Sequence, residues 1–346
     1  MPLTVLALNP SIDVEWRVDR VQWEEKNLIH SERRWAGGKG VNVARWLRHL
    51  GENPRLLLPL GGPTGRESEE DLRAEKLSAV VIPLREPTRA NVIVSPDAGR
   101  QLRFNPLGPK LSRNEWNEVL KNVERILKQM CAEQGTARHS VRAAASLSDD
   151  SAHGVTRPAS LLILSGSLPR GLPVTAYALL IRLARRLGVP TLLDCDGPPF
   201  SAAVGARPFL VKPNEHELAQ WWGGKLPSKA DLLQAAIQLS SRTGGWVMVS
   251  RGGQGALLVN RFASRAYAAK APSLQPVNTV GAGDAMLAAA ACQIQAQTPP
   301  VEWLRWGVAV GTAATLCPAG KLPTLSSIQR LLRRVQITEE RMPAET

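Results

Sequence analysis

The sequence predicts an α/β fold with a mostly parallel sheet covered by helices on both faces. Three observations carry this expectation. Short Leu- or Val-rich runs alternate with helical patterns along nearly the whole chain, the rhythm of strand–helix–strand units. The run Leu161-Leu162-Ile163-Leu164 is apolar without interruption, as in a strand buried on both sides. Hydrophobic residues make up 44% and charged residues 21% of the 346 residues, enough apolar surface for a substantial core and too much for a disordered chain.

Strands are expected at Thr4–Leu8, Arg55–Leu60, Val80–Leu84, Leu161–Ser165, Pro190–Asp194, Phe209–Lys212, Trp246–Ser250 and Ala256–Val259. Helices are expected at Val41–Leu50, Arg113–Met130, Thr175–Leu187, Ala230–Arg242, Ala282–Gln295, Val301–Thr315 and Ser326–Val335. In the first helix Val41, Ala44, Leu47 and Leu50 share one stripe, and Gly51 suits the residue after its C-terminus. Two regions, within 14–35 and 88–105, alternate polar and apolar residues and predict a small antiparallel sheet projecting from the body as a lid. Residues 131–158, rich in Ala, Ser, Arg, Gly and Asp, show no periodicity and read as a flexible insertion. The whole of 1–346 reads as one domain.

Lys and Arg total 43 against 30 Asp and Glu, a net charge of +13. This favours anionic partners. The basic residues are dispersed, however: Arg182, Arg185 and Arg186 have the spacing of a solvated helix face. With no aromatic-rich RNA-binding signature, nucleic acid is not the expected partner. Cys131, Cys195, Cys292 and Cys317 lie far apart without a C-x-x-C, which argues against a disulfide framework or a cysteine zinc site. No run approaches the ~18 apolar residues of a membrane span. Met1–Asn9 lacks a basic leader and a cleavage site, so the expected compartment is the cytoplasm.

The strongest local signal is Asn278-Thr279-Val280-Gly281-Ala282-Gly283-Asp284, followed by a small apolar helix. Glycines before a helix leave its first N–H groups accessible, and the helix dipole favours an anion there. A phosphoryl group in transfer needs such a cradle, and Asp284 in the first turn could take a proton from an attacking hydroxyl. The same residues equally suit a plain glycine turn with a dipole-matched carboxylate. Gly37, Gly38 and Gly40 allow close backbone approach to a polar ligand. Gly61–Arg66 lacks the Gly-Lys-Ser/Thr ending of a Walker A loop and carries Pro63; it reads as a loop on the acceptor side. Asn214-x-x-Glu217 forms a capping box on its own terms.

NTVGAGDAMLAA at 278–289 resembles the C-terminal signature of the ribokinase-like, phosphofructokinase-B carbohydrate kinases, and the other family motifs follow in order. LNPSIDVEW ends its strand at Asp13, AGGKGVNVARWL spans 36–47, TRANV spans 88–92, SGSLPRG spans 165–171, VKPNEHEL spans 211–218 and VSRGGQGALLV spans 249–259. LNPSID, AGGKG, SGSLP and VKPN together are most similar to the 1-phosphofructokinase and tagatose-6-phosphate kinase branch.

The resemblance implies a three-layer α/β/α core with a β lid, with ATP and Mg²⁺ as cofactors. It implies Asp284 as base, with Gly281, Ala282 and Gly283 as anion hole. It implies that Asp13, Gly37, Gly38, Asn42, Asn91 and Ser167 hold the acceptor, with Lys39 and Arg89 gripping its existing phosphate. For ATP it implies Lys212, Asn214, Ser250, Gly252, Gly255 and Thr279, and for the metal Glu217 acting indirectly. Arg251 follows Ser250 either as a further phosphate contact or as a surface charge. Asn278 stands where many relatives carry Asp. The expected reaction is transfer of the ATP γ-phosphoryl to a phosphorylated ketohexose, first fructose 1-phosphate, otherwise tagatose 6-phosphate or fructose 6-phosphate. The rivals are a catalytically inactive sugar-phosphate-binding protein and a nucleic-acid-binding protein. Exposed lid edges invite pairing of two chains into a homodimer.

Overall fold

The computed structural model describes residues 3–97, 101–145, 160–318 and 320–342. In its N-terminal part β1 (Thr4–Leu6), β2 (Ser11–Val18) and β3 (Ser31–Gly37) precede α1 (Lys39–His49); β4 (Arg55–Gly61), α2 (Gly62–Ala74) and β5 (Ser78–Leu84) follow. Next come β6 (Arg89–Pro96), β7 (Leu102–Phe104), α3 (Arg113–Ala145), β8 (Leu162–Ser165), α4 (Ala176–Arg186), β9 (Thr191–Asp194) and α5 (Gly197–Val204). The chain continues through β10 (Leu210–Val211), α6 (Glu215–Trp222), α7 (Lys229–Thr243), β11 (Trp246–Ser250), β12 (Ala256–Asn260) and β13 (Arg265–Lys270). It closes with α8 (Ala282–Gln295), α9 (Pro300–Thr315), α10 (Leu325–Leu332) and β14 (Gln336–Glu339).

Among the described residues ten strands form one sheet in the order β14-β13-β12-β11-β10-β9-β8-β1-β4-β5. The pairs from β5 to β11 are parallel; those from β11 to β14 are antiparallel. Side chains alternate between two cores as a strand's period of two requires. Val5, Leu56 and Ile163 face a layer containing α1, α8, α9 and α10. Leu6, Leu57 and Leu162 face a layer containing α3, α4, α5 and α7. The expected α/β/α layering is therefore realised.

The second sheet has the order β3-β2-β6-β7. Its outer pairs are antiparallel as expected, while β2 and β6 at its centre run parallel, Asp13 beside Asn91.

Several elements depart from the sequence reading. Gly61–Arg66 is not a loop: β4 ends at Gly61 and α2 starts at once. Only Gly65, Ser68 and Leu72 of α2 are buried, so its apolar stripe is too thin to show. Helix α5 and strands β13 and β14 also escaped notice, the strands because β13 is Ala-rich between charged ends and β14 is mostly exposed. The segment 131–158 is partly helix, since α3 continues to Ala145. Residues 146–158 lie outside the described part. Among the described residues no helix is long and apolar enough to cross a membrane.

Strand β1 and helix α1 approach closely because Gly40 lacks a side chain: a Cβ there would lie 2.5 Å from the Ala7 Cβ. Gly40→Ala is expected to cost about 1–3 kcal/mol through overpacking, measured by urea denaturation; unchanged stability would contradict the close approach.

Candidate active site

In parallel sheets, ligands bind in the crevice beyond the carboxyl ends of the strands. Here those ends deliver one polar group after another to a cleft of about 620 Å³. Ser167 follows β8, Asp194 ends β9, Lys212 follows β10 and Ser250 ends β11. The lid contributes Asp13, Arg89 and Asn91; α1 and its approach contribute Gly38, Lys39 and Asn42; Gly281, Gly283 and Asp284 open α8. Thr279, Asn214 and Glu217 also line the cleft. A second cavity of about 240 Å³ adjoins it through Ser250, Thr279 and Gly283, and is lined by Gly252, Gly255, Ala282, Leu274 and Val308. A larger groove of about 860 Å³ along α3 and β5 has none of these convergent groups.

Of the expected residues, Gly37 alone stays out of both cavities. It is buried at the end of β3 against the Asp13 carboxyl, where any Cβ would collide with that group. Asp13 accepts from Ser11 Oγ and from Asn91 Nδ2, both at 2.8 Å. Burial raises its pKa, opposed by these two hydrogen bonds and by the charges of Arg89 and Arg45. Arg89 donates to the Pro106 carbonyl (2.8 Å) and to the Asn9 carbonyl (3.0 Å). Its Nε and the Asn91 Oδ1 are buried without a protein partner. Such orphans call for explanation; a ligand offering both acceptors and hydroxyl donors would satisfy the pair.

The centre of the cleft is a charge cluster. The buried Asp194 carboxylate pairs with Lys212 at 3.1 Å and Lys39 at 3.3 Å. Burial works against its charge, yet the two ammoniums hold its pKa below the ordinary carboxylate range. Asp194, opposed by burial and assisted by Glu217, Asp284 and Asp196, keeps Lys39 firmly protonated. Lys39 was expected beside Arg89 at the acceptor's phosphate. It lines the cleft together with Arg89, and its ion pairs are with Asp194 and, at 4.0 Å, Glu217. Asp194 itself was missed, although an acidic residue ending a strand in TLLDCD was a legible signal.

Asp284 sits in the first turn of α8, after Gly281 at φ +77°. The first-turn N–H groups have no intrahelical acceptor, and a side chain at Gly283 would press on the Lys212 ammonium. Burial, then repulsion from Asp194, raises the Asp284 pKa to about 7; the Asn42 hydrogen bond and the charges of Lys39 and Lys212 restrain the rise. Asn42 Nδ2 donates to Asp284 Oδ2 at 2.9 Å. Asn42, expected on sugar hydroxyls, lines the cleft and also donates to this carboxylate. The arrangement can accept a proton near neutral pH beside a set of cations and amides able to stabilise a phosphoryl group.

Glu217 completes the capping box: Asn214 Oδ1 accepts from its N–H at 2.8 Å, and Glu217 Oε2 accepts from the Asn214 N–H at 2.9 Å. Arg251 is held by Glu215 at 2.8 Å and by Gln254 at 2.6 Å, which favours an internal bridge over a phosphate contact. Asn278 Oδ1 accepts from the Val280 N–H at 3.2 Å and shapes the turn into α8. Among the described residues no group of three or more His, Cys, Asp or Glu could hold a metal.

The pfkB family of carbohydrate kinases matches this chain over residues 7–134 and 130–326. The chain belongs to that family. It is 28% identical to the 1-phosphofructokinase of Bacillus subtilis over 333 residues, covering 96% of this chain and 98% of the relative. It is also 28% identical to a tagatose-6-phosphate kinase of Staphylococcus epidermidis, covering 89% and 90%. The crystal structure of phosphofructokinase-2 from Escherichia coli, in complex with potassium, superposes with a TM-score of 0.83 at 28% identity over 96% of this chain and 98% of that one. A tetrameric inhibited form of that enzyme has also been solved. This pfkB kinase is therefore an ATP-dependent carbohydrate kinase.

The raised Asp284 pKa sets a stability prediction. The folded value, about 7, exceeds the ordinary aspartate value of 3.8; the ionised form therefore destabilises the fold increasingly as pH rises between these values, and fully above about 7. Asp284→Asn should raise Tm at pH 8.5, by roughly 2–4 °C for each kcal/mol relieved, with the gain shrinking toward pH 5. Calorimetry showing a lower Tm at pH 8.5 would contradict this.

Proposed function

We propose that this pfkB kinase transfers the γ-phosphoryl group of Mg-ATP to a hydroxyl of a phosphorylated ketohexose, fructose 1-phosphate first among the candidates. The single observation that carries the reading is the Asp284 carboxylate, buried at the amide end of α8 and facing the same cleft as Lys39, Lys212 and Arg89. The relatives named above support a sugar phosphate as the class of acceptor.

The acceptor lies in the lid-side half of the cleft. Asp13 and Asn91 take hydroxyls, with Gly38 and Ser167 alongside, and Arg89 uses Nε and its remaining terminal hydrogens on the existing phosphate. The nucleotide occupies the adjoining cavity, its base among Leu274 and Val308, with Ser250, Gly252, Gly255, Thr279 and Asn214 along its ribose and phosphates. Lys39 and Lys212 face the transferring group, held apart and oriented by Asp194. Gly281, Ala282 and Gly283 present α8 amides to it. Mg²⁺ enters as part of the donor substrate, and Glu217, fixed by its capping box, acts on it only through water.

The acceptor oxygen attacks phosphorus as its proton passes to Asp284. The bond from the γ-phosphorus to the β–γ bridging oxygen breaks, ADP leaves with the electron pair, and Asp284 later returns its proton to solvent. Asp284 must be ionised to act. With a pKa of about 7, kcat/KM is expected to rise with pH through that region.

Coupled ADP release against fructose 1-phosphate, fructose 6-phosphate, tagatose 6-phosphate and unphosphorylated sugars tests the substrate class. Turnover with a phosphorylated ketohexose is expected, falling about 10²–10⁴-fold in Asp284→Asn with ATP binding retained. Equal turnover in the variant would remove the assigned role, and preference for an unphosphorylated sugar would remove the substrate class.

We also propose that two chains pair through the lid. Trp23, 74% exposed between β2 and β3, and Phe104, 57% exposed on β7, leave aromatic surface there. Light scattering should give twice 37.5 kDa; a monomer at micromolar concentration would contradict it.

A further inference from the structure

We infer that Arg45 is a positioning residue for Asp284, acting by fixing which end of the Asn42 amide faces that carboxylate. The inference rests on Asp284 as the base proposed above. Asn42 and Arg45 stand three residues apart on α1, where side chains meet. Arg45 NH1 donates to Asn42 Oδ1 at 3.2 Å, and Asn42 Nδ2 donates to Asp284 Oδ2 at 2.9 Å. A guanidinium has donors and no acceptor. It therefore selects the amide oxygen and turns the N–H₂ toward Asp284.

The selection matters most after proton transfer. An ionised Asp284 would choose the N–H₂ unaided, but a protonated one could donate to the amide oxygen if Asn42 flipped. That pairing would stabilise the spent acid and delay its return to base. Arg45 opposes the flip in both protonation states, so Asn42 always favours the carboxylate.

Arg45 is itself held tightly. Its Nε and NH2 donate to the two Glu75 oxygens, both at 2.8 Å, and NH2 also reaches the Ala36 carbonyl at 2.9 Å. Ala36 lies at the root of lid strand β3, and its N–H donates to Asp71 of α2 at 2.6 Å. Through Asn42, the Arg45 side chain links the lid root to the candidate base. The largest charges acting on Asp284 are Asp194 from β9, Lys39 from α1 and Lys212 after β10, with Asn42 supplying the hydrogen bond; the closely packed α9 carries Glu302 and Arg305, which pair with each other at 3.0 Å.

The test compares Arg45→Gln and Arg45→Lys by ADP release across pH, with kcat and KM separated and melting recorded. Arg45→Gln should lower kcat roughly 10-fold, the value of one hydrogen bond to a charged group, leave KM for ATP unchanged and move the acid limb of kcat/KM to higher pH. Arg45→Lys, which like Arg can only donate to Asn42 whereas Gln can also accept and no longer selects the amide oxygen, should recover part of kcat and of the limb. A folded Arg45→Gln with an unshifted limb, or a loss wholly in KM, overturns the inference. If Arg45→Gln does not fold, a cycle of Arg45→Lys with Asn42→Ala decides: coupled effects on the limb support the relay and additive effects overturn it. Asp284→Asn in parallel separates the two readings. Retained turnover there removes the base and this inference together, whereas an inactive Asp284→Asn beside an unshifted Arg45→Gln removes only this one.

Discussion

The cleft depends on keeping one carboxylate, Asp284, buried beside another, Asp194, without losing both charges. Like charges in a dry site drive one another toward protonation, and the two do not share the cost equally. Asp194 has Lys39 and Lys212 against it and stays ionised, while Asp284 has an amide and the end of a helix, and its pKa rises. The asymmetry separates a fixed anion that orients the lysines from a carboxylate able to exchange a proton near neutral pH.

This division comes from the topology. Strands β9 and β10 lie side by side in parallel, so Asp194 and Lys212 leave the sheet at the same edge. Helix α8 packs against α1 in the layer above. This brings the first turn of one to the first turns of the other and sets Asn42 against Asp284 across 242 positions of sequence. The lid enters through short links from β1 and α1, and its root is tied down by Asp71 and Arg45. A glycine is required where the lid meets the body, because the Asp13 carboxyl fills the space a Gly37 side chain would take.

Much of this was legible in the chain. The apolar runs gave the central strands, since a strand buried on both faces can be little else, and the glycines before Asp284 marked the start of α8. The capping box at Asn214 and Glu217 is local chemistry and formed as read. What the sequence hid was of two kinds. Helix α2 and strands β13 and β14 bury few large side chains, so periodicity had little to report. The partnerships of Asp194, Lys39, Asn42 and Arg45 are long-range or depend on which of several acceptors wins, and spacing along the chain carries no record of that competition. The Lys39 partner, Asp194 at 3.3 Å, stands 155 positions away along the chain.

The central claim is that Asp284 is a carboxylate titrating near neutrality. Carbon NMR of protein labelled at aspartate carboxyls, with the Asp284 signal assigned by its absence from Asp284→Asn, measures this directly. A midpoint near 7 is the predicted result. A midpoint at the ordinary aspartate value, about 4, would contradict the account.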